Sequence, residues 1–202
     1  MTTSRSFRRG PLLCMLGLSL APFVAGCGAI TTESVDMDES IASQSFYALE
    51  VQSLEGDAVP LERYRGQVSL VVNTASKCGL TPQYEGLEAL QQEFADRGFT
   101  VLGFPSGDFG GQEFDSAGEI REFCDSKYAV TFPLFAKSGV KEGPDQSEVF
   151  RFLGGATGSL PGWNFGKYLV DREGTVLAFF APTVGPQSDE VRKALEAALA
   201  DA

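Results

Sequence analysis

Cys78 follows the apolar run Val68-Ser69-Leu70-Val71-Val72-Asn73 and stands just before Thr81-Pro82, a pair suited to opening a helix. A thiol between a strand and a helix amino terminus is flanked by oriented N–H groups that favour the thiolate. Lys77 adds a positive charge beside it. The chemistry that such a thiolate offers is nucleophilic attack. An inert, buried structural cysteine is the other reading of the same position. Cys124 is the second cysteine of the folded part, because Cys14 and Cys27 fall in an amino-terminal stretch of different character.

The composition limits what else could act with these thiols. Among 202 residues there is no histidine. That excludes Ser-His-Asp and Cys-His nucleophilic sites, and histidine-ligated zinc, copper, iron and haem. Acid–base work near neutral pH falls to cysteine, a perturbed lysine or carboxylate, or water. The formal net charge of −11 and a pI near 4.5 speak against a nucleic-acid partner, which needs a basic surface.

The elements that must position Cys78 alternate along the chain. Phe46–Val51 and Ala58–Leu61 flank Glu55-Gly56-Asp57 as a short hairpin. Val68–Asn73 reads as a buried strand. A helix capped by Thr81 carries Tyr84, Leu87, Leu90 and Phe94 on one face and ends at Gly98. Phe99–Phe104 is a second buried strand, followed by a Gly-rich loop to Ser116. Ser116 and Glu119 then form a capping box for a helix carrying Ile120, Phe123 and Cys124. A short helix is expected over residues 145–153. A hairpin follows from Lys167–Val170 and Thr175–Phe180, and a last helix carries Val191, Leu195 and Leu199. Strands alternating with helices imply an α/β fold of thioredoxin-like order: a central mixed β-sheet flanked by helices, with an N-terminal β-hairpin.

The amino terminus reads as an address. Arg5, Arg8 and Arg9 precede an apolar stretch from Leu12 to Ala25, and no acid occurs before Glu33. The stretch is shorter than the roughly 20 apolar residues of a membrane span. Val24-Ala25-Gly26-Cys27 resembles the lipobox of bacterial lipoproteins, which implies lipid attachment at Cys27 and export to the cell envelope. The alternatives are an ordinary thiol after a small-residue cleavage site, or an uncleaved anchor. The expected organisation is a signal peptide over residues 1–26, a flexible lipid-attached tether over 27–45, and one folded domain over 46–202. Cleavage removes three arginines and no acids, so the mature surface is more acidic still. Such a surface has no attraction to anionic headgroups, and membrane attachment would rest on the lipid.

Three blocks carry a family resemblance. Val71-Val72-Asn73-Thr74-Ala75-Ser76-Lys77-Cys78-Gly79-Leu80-Thr81 resembles the nucleophile segment of glutathione peroxidases. Leu102-Gly103-Phe104-Pro105 with Phe109-Gly110-Gly111-Gln112-Glu113, and Trp163-Asn164-Phe165-Gly166-Lys167-Tyr168-Leu169-Val170-Asp171, are similar to the two blocks that follow in that family. The resemblance implies a thioredoxin-like fold that reduces hydroperoxides without metal or cofactor. It places Cys78, Gln112, Trp163 and Asn164 around the peroxide. Gln, Asn and indole N–H groups donate hydrogen bonds without titrating, and such donors stabilise a thiolate and the oxyanion it releases.

The resemblance further implies a sulfenic acid on Cys78, resolved by Cys124 as a disulfide and re-reduced by a thioredoxin-like protein or glutathione. Cys124 also falls on the apolar face of its helix, so a buried inert thiol remains its other reading. The chain has Ser106-Gly107-Asp108 where many relatives read Cys-Asn-Gln, which puts an acid near the site. The short connection from Lys137 to Gln146 resembles the branch lacking a tetramer loop, implying a monomer open to lipid hydroperoxides. Two rival functions stay open on the residues alone. A lipid-anchored thiol–disulfide oxidoreductase would need a second cysteine where Thr81 stands, and a non-catalytic binding module would leave Cys78 unreactive.

Overall fold

The computed structural model describes residues 45–201. The expected signal peptide, Cys27 and all of the tether but Ser45 lie outside the described residues. A 3-10 turn, Phe46–Ala48, precedes the hairpin of β1 (Glu50–Gln52) and β2 (Ala58–Pro60), which pair antiparallel. The first strand therefore begins later than its apolar pattern predicts. Ser45 caps the 3-10 turn instead: its hydroxyl accepts from the Tyr47 N–H and donates to the Glu173 carbonyl.

A second 3-10 turn, Leu61–Tyr64, leads to β3 (Val68–Thr74), the central strand. It is followed by α1 (Gln83–Phe94), β4 (Phe99–Pro105), α2 (Ala117–Tyr128), α3 (Glu148–Thr157), β5 (Lys167–Val170), β6 (Val176–Phe180) and α4 (Asp189–Ala200). The four long strands form one sheet in the order β4-β3-β5-β6. β3 runs parallel to β4 and antiparallel to β5, and β5 runs antiparallel to β6. This is the mixed, helix-flanked sheet of the thioredoxin-like fold.

Side chains of β3 alternate between two cores. Val68, Leu70 and Val72 pack with Leu87, Leu90 and Phe94 of α1, Ile120 and Cys124 of α2, and Val191 and Leu195 of α4. Val71 points the other way, to Phe150 and Leu153 of α3 and to Tyr168. Each apolar side chain so buried contributes about 1.5–3 kcal/mol.

Helix starts follow their caps. Ser116 and Glu119 form the reciprocal capping box, and Ser188 caps α4. α3 begins at Ser147, whose hydroxyl accepts from the Phe150 N–H, rather than near Asp145. It runs through Gly154 and Gly155 to a left-handed Gly158, beyond the expected end at 153. A Cβ at Gly154 would meet the Leu160 side chain at 2.7 Å, so the helix needs glycine there for close packing.

Candidate active site

Three loops meet at one end of the sheet, because β3 and β4 end there and the antiparallel β5 begins there. The first carries Cys78. Its backbone N–H donates to the Thr81 hydroxyl at 2.9 Å, and that hydroxyl donates to the Ala75 carbonyl at 2.8 Å. Thr81 was expected to cap α1. Its side chain instead turns back and clasps the cysteine loop, and Pro82 takes the helix boundary without a side-chain bond. The Leu80 N–H points at the Cys78 sulfur, 3.4 Å away. The Cys78 side chain is 8% exposed.

The Lys77 ammonium lies 3.9 Å from the centre of the Phe114 ring, in a cation–π contact.

The second loop is stitched to the first. The Lys77 N–H donates to the Gln112 carbonyl at 2.9 Å, and the Ser76 N–H donates to Glu113 Oε1 at 3.3 Å. Asp108, the acid expected near the site, is spent on structure. Its Oδ2 accepts the N–H groups of Val140 at 2.6 Å and Lys141 at 3.0 Å, fastening this loop to the connection that leads to α3.

The third loop brings Trp163 and Asn164. The Asn164 side-chain amide donates to Gln112 Oε1 at 3.1 Å. That bond fixes which end of the Gln112 amide is free: its NH2 group has no acceptor among the described residues. Trp163 is 41% exposed, and its ring lies 5.7 Å from that of Phe109. Asn73, at the end of β3, holds the loop down: it donates to the Trp163 carbonyl at 3.2 Å and accepts the Gly166 N–H at 2.8 Å. A Cβ at Gly166 would fall 2.7 Å from Pro161 and 3.2 Å from that Asn73 oxygen.

Phe165 is left-handed, with φ of 71°, a costly state for a bulky residue. Its N–H donates to the Asn73 carbonyl at 2.7 Å and its own carbonyl accepts from Lys167 Nζ at 2.6 Å. Lys167 is wholly buried, also donates to the Val184 carbonyl at 2.8 Å, and is held down to a pKa of about 7 by burial. The structure thus brings Gln112 and Asn164 into contact, ties Gln112 to the Cys78 loop, and sets Trp163 beside Phe109 at the rim.

Cys124 lies on the buried face of α2, fully covered, within the same core as Cys78. Burial pushes its thiol up to about 11. Two surface hollows of about 400 and 420 Å³ lie elsewhere, one between the hairpin and the start of α3, the other beside the end of α3. Neither is lined by Cys78, Gln112, Trp163 or Asn164.

Residues 46–154 match the family model described as glutathione peroxidase. The chain belongs to the glutathione peroxidase family. It is 45% identical over 168 residues to the hydroperoxy fatty acid reductase gpx1 of a Synechocystis species, covering 77% of this chain and 96% of that one. It is 44% identical over 163 residues to the glutathione peroxidase-like peroxiredoxin GPX5 of Chlamydomonas reinhardtii, covering 78% and 100% of the two chains. The crystal structure of Trgpx in its apo form superposes with a TM-score of 0.62 at 34% identity, over 79% of this chain and 97% of that one. The chain is accordingly a peroxidase, an oxidoreductase acting on peroxide.

Several residues that shape the site of this glutathione peroxidase are not singled out by sequence reasoning. Asn73, Glu113 and Lys167 all stand inside the three blocks that carry the resemblance. Their membership of those blocks is the only signal the sequence offers. None has a spacing that marks it as a brace for a loop far away in the chain.

Proposed function

We propose that Cys78 is the peroxidatic nucleophile and that Gln112, Trp163 and Asn164 provide the donors around it. One observation carries this reading: the Gln112–Asn164 pair is fastened by backbone to the loop whose Leu80 N–H points at the Cys78 sulfur. The thiolate attacks the O–O bond. Sulfur bonds to the nearer oxygen, the O–O bond breaks, and the departing oxygen leaves as water or alcohol after taking a proton. Cys78 becomes a sulfenic acid, oxidised by two electrons. Amide and indole N–H groups are suited to bear the negative charge on the departing oxygen.

Cys124 then resolves the sulfenic acid as a Cys78–Cys124 disulfide with loss of water. Cys124 is fully covered on α2, and unwinding of the carboxyl half of that helix would present it to Cys78 with the Cα atoms within the roughly 7 Å a disulfide needs. A thioredoxin-like dithiol, or glutathione, returns both thiols. The substrate class is hydrogen peroxide and organic hydroperoxides, lipid hydroperoxides included. The name of the Synechocystis relative supports the last of these, as does the half-exposed Trp163 beside Phe109 as an apolar approach. With lipid on Cys27, a monomer on the exported face of the bacterial envelope would meet peroxidised membrane lipid in defence against oxidative stress.

The test is the intact mass of the reduced full-length chain carrying Cys14→Ser and Cys27→Ser, before and after one equivalent of an organic hydroperoxide. Loss of about 2 Da, abolished by Cys78→Ser or Cys124→Ser, is the expected result. Gain of about 16 Da on Cys78 with no disulfide would remove Cys124 as resolver and leave an external thiol. An unchanged mass would overturn the nucleophile itself.

A further inference from the structure

Glu113 is a carboxylate buried to 3% exposure beside the Cys78 loop. Its Oε1 accepts the N–H groups of Ser76 at 3.3 Å and Phe114 at 2.8 Å, which fixes the side chain to the nucleophile loop two residues before Cys78. Its Oε2 is equally buried and has no hydrogen-bond partner. A buried carboxylate oxygen without a partner is costly. Phe114, next to Glu113 in sequence, packs against the core that contains Cys124, its ring 5.7 Å from that of Phe123 on α2, and the charge of Glu113 opposes ionisation of Cys124. Tyr84 of α1 lies in the same core as Cys124, and its buried hydroxyl has no hydrogen bond among the described residues.

We propose that Glu113 is the proton acceptor for the resolving thiol. The inference rests on Cys124 being that thiol. As α2 unwinds, Cys124 comes to the loop on which Glu113 is anchored. Its S–H proton passes to Oε2 while its sulfur bonds to the Cys78 sulfur. The S–O bond of the sulfenic acid breaks, the hydroxide leaves, and it takes the proton from Glu113 to depart as water. Both sulfurs end in one disulfide and Glu113 is again a carboxylate.

The need for an acceptor follows from the surroundings. A cysteine thiol at its ordinary value of 9.0 is already protonated at neutral pH, and in the folded helix burial pushes Cys124 higher, with the charges of Glu113 and Asp125 acting in the same direction. Arg121 and Tyr84 oppose them without prevailing. Burial also raises Glu113 above the usual carboxylate range, against the backbone donors and the distant charge of Lys137. That makes it a better base than an exposed carboxylate.

The experiment uses the full-length chain with Cys14→Ser and Cys27→Ser, mixed with tert-butyl hydroperoxide and quenched over time for intact mass. The two steps are read separately, as gain of about 16 Da and then loss of about 2 Da relative to the reduced chain. In Glu113→Gln, which can keep the Oε1 bonds to the loop, disulfide formation at pH 7 should slow by about ten- to hundred-fold more than the first step does. Raising the pH towards the ionisation of Cys124 should restore the second step, and Glu113→Asp should retain part of it. Equal slowing of both steps would mean that Glu113 only braces the loop, and an unchanged second step would dismiss it as the acceptor. Absence of a disulfide in the parent chain would instead overturn the Cys124 reading, and this proposal with it.

Discussion

The Thr81 hydroxyl donates to the Ala75 carbonyl at 2.8 Å while accepting the Cys78 N–H at 2.9 Å, so one side chain closes the Cys78 loop from both sides. Both bonds are buried, and each contributes about 0.5–1.5 kcal/mol. Thr81→Val keeps the shape and loses both. It should lower stability by about 1–3 kcal/mol and slow Cys78 oxidation by about ten-fold, whereas Thr81→Ser should stay near the parent. Denaturant unfolding and the rate of mass gain with hydroperoxide check the pair.

Gln112 and Asn164 are a coupled pair, since the Asn164 amide orients that of Gln112. Gln112→Ala and Asn164→Ala should each reduce the rate of reaction with hydroperoxide by about ten- to hundred-fold. The double variant should lose less than the product of the two, because Asn164→Ala already frees Gln112. Second-order rate constants for the four chains provide the coupling.

Lys167 makes stability depend on pH in an unusual direction. Its ammonium is held down to about 7 when folded, by burial alone, whereas an unfolded lysine keeps its proton to about pH 10.4. Between those values the unfolded chain binds the extra proton, so stability rises with pH. Below about pH 7 both states are protonated and the full cost of burying the charge is present. Cys124 opposes this only above pH 9.0, where an unfolded thiol ionises before the folded one. Thermal midpoints between pH 6.5 and 8.5 should climb in the parent and climb less in Lys167→Met. Equal slopes in the two chains would refute the assignment.

Cys124 should be hard to alkylate in the folded state. Burial moves its thiol from 9.0 to about 11, which alone reduces the thiolate fraction about a hundred-fold relative to the unfolded chain. Iodoacetamide labelling at pH 7, with and without urea, should differ by at least about that factor, since access adds to it. Oxidation of Cys78 should not be needed for the urea arm.

The order of strands and helices was legible because period and punctuation carry it. The capping box at Ser116, the β3 run, and the turn before β6 fall where the residues put them. Element ends were less so. α3 runs past Gly154 because Leu160 packs against that glycine, a tertiary fact with no local mark. In the site, residue types were readable and directions were not. Thr81 is a competent cap by type, yet the Ala75 carbonyl takes its hydroxyl. Lys77 stands beside Cys78 in sequence and turns to Phe114 in space. Asp108 was visible as an acid, but the two N–H groups it accepts lie more than thirty residues on. Nothing in the alternation of β5 signals that Lys167 points into the protein with carbonyls as its only partners.

The antiparallel pairing of β3 with β5 has a consequence for the chain as it is made. Asn73 is joined to the Trp163 loop across some ninety positions of sequence, and Gln112 to Asn164 across about fifty. Contacts of such separation form late, after the cost of closing the intervening chain has been met. A polypeptide emerging from the ribosome thus exposes Cys78 well before Trp163 and Asn164 exist. Competence arrives in one step, with the closing hairpin, and recovery of turnover during refolding should track completion of the sheet rather than formation of its first half.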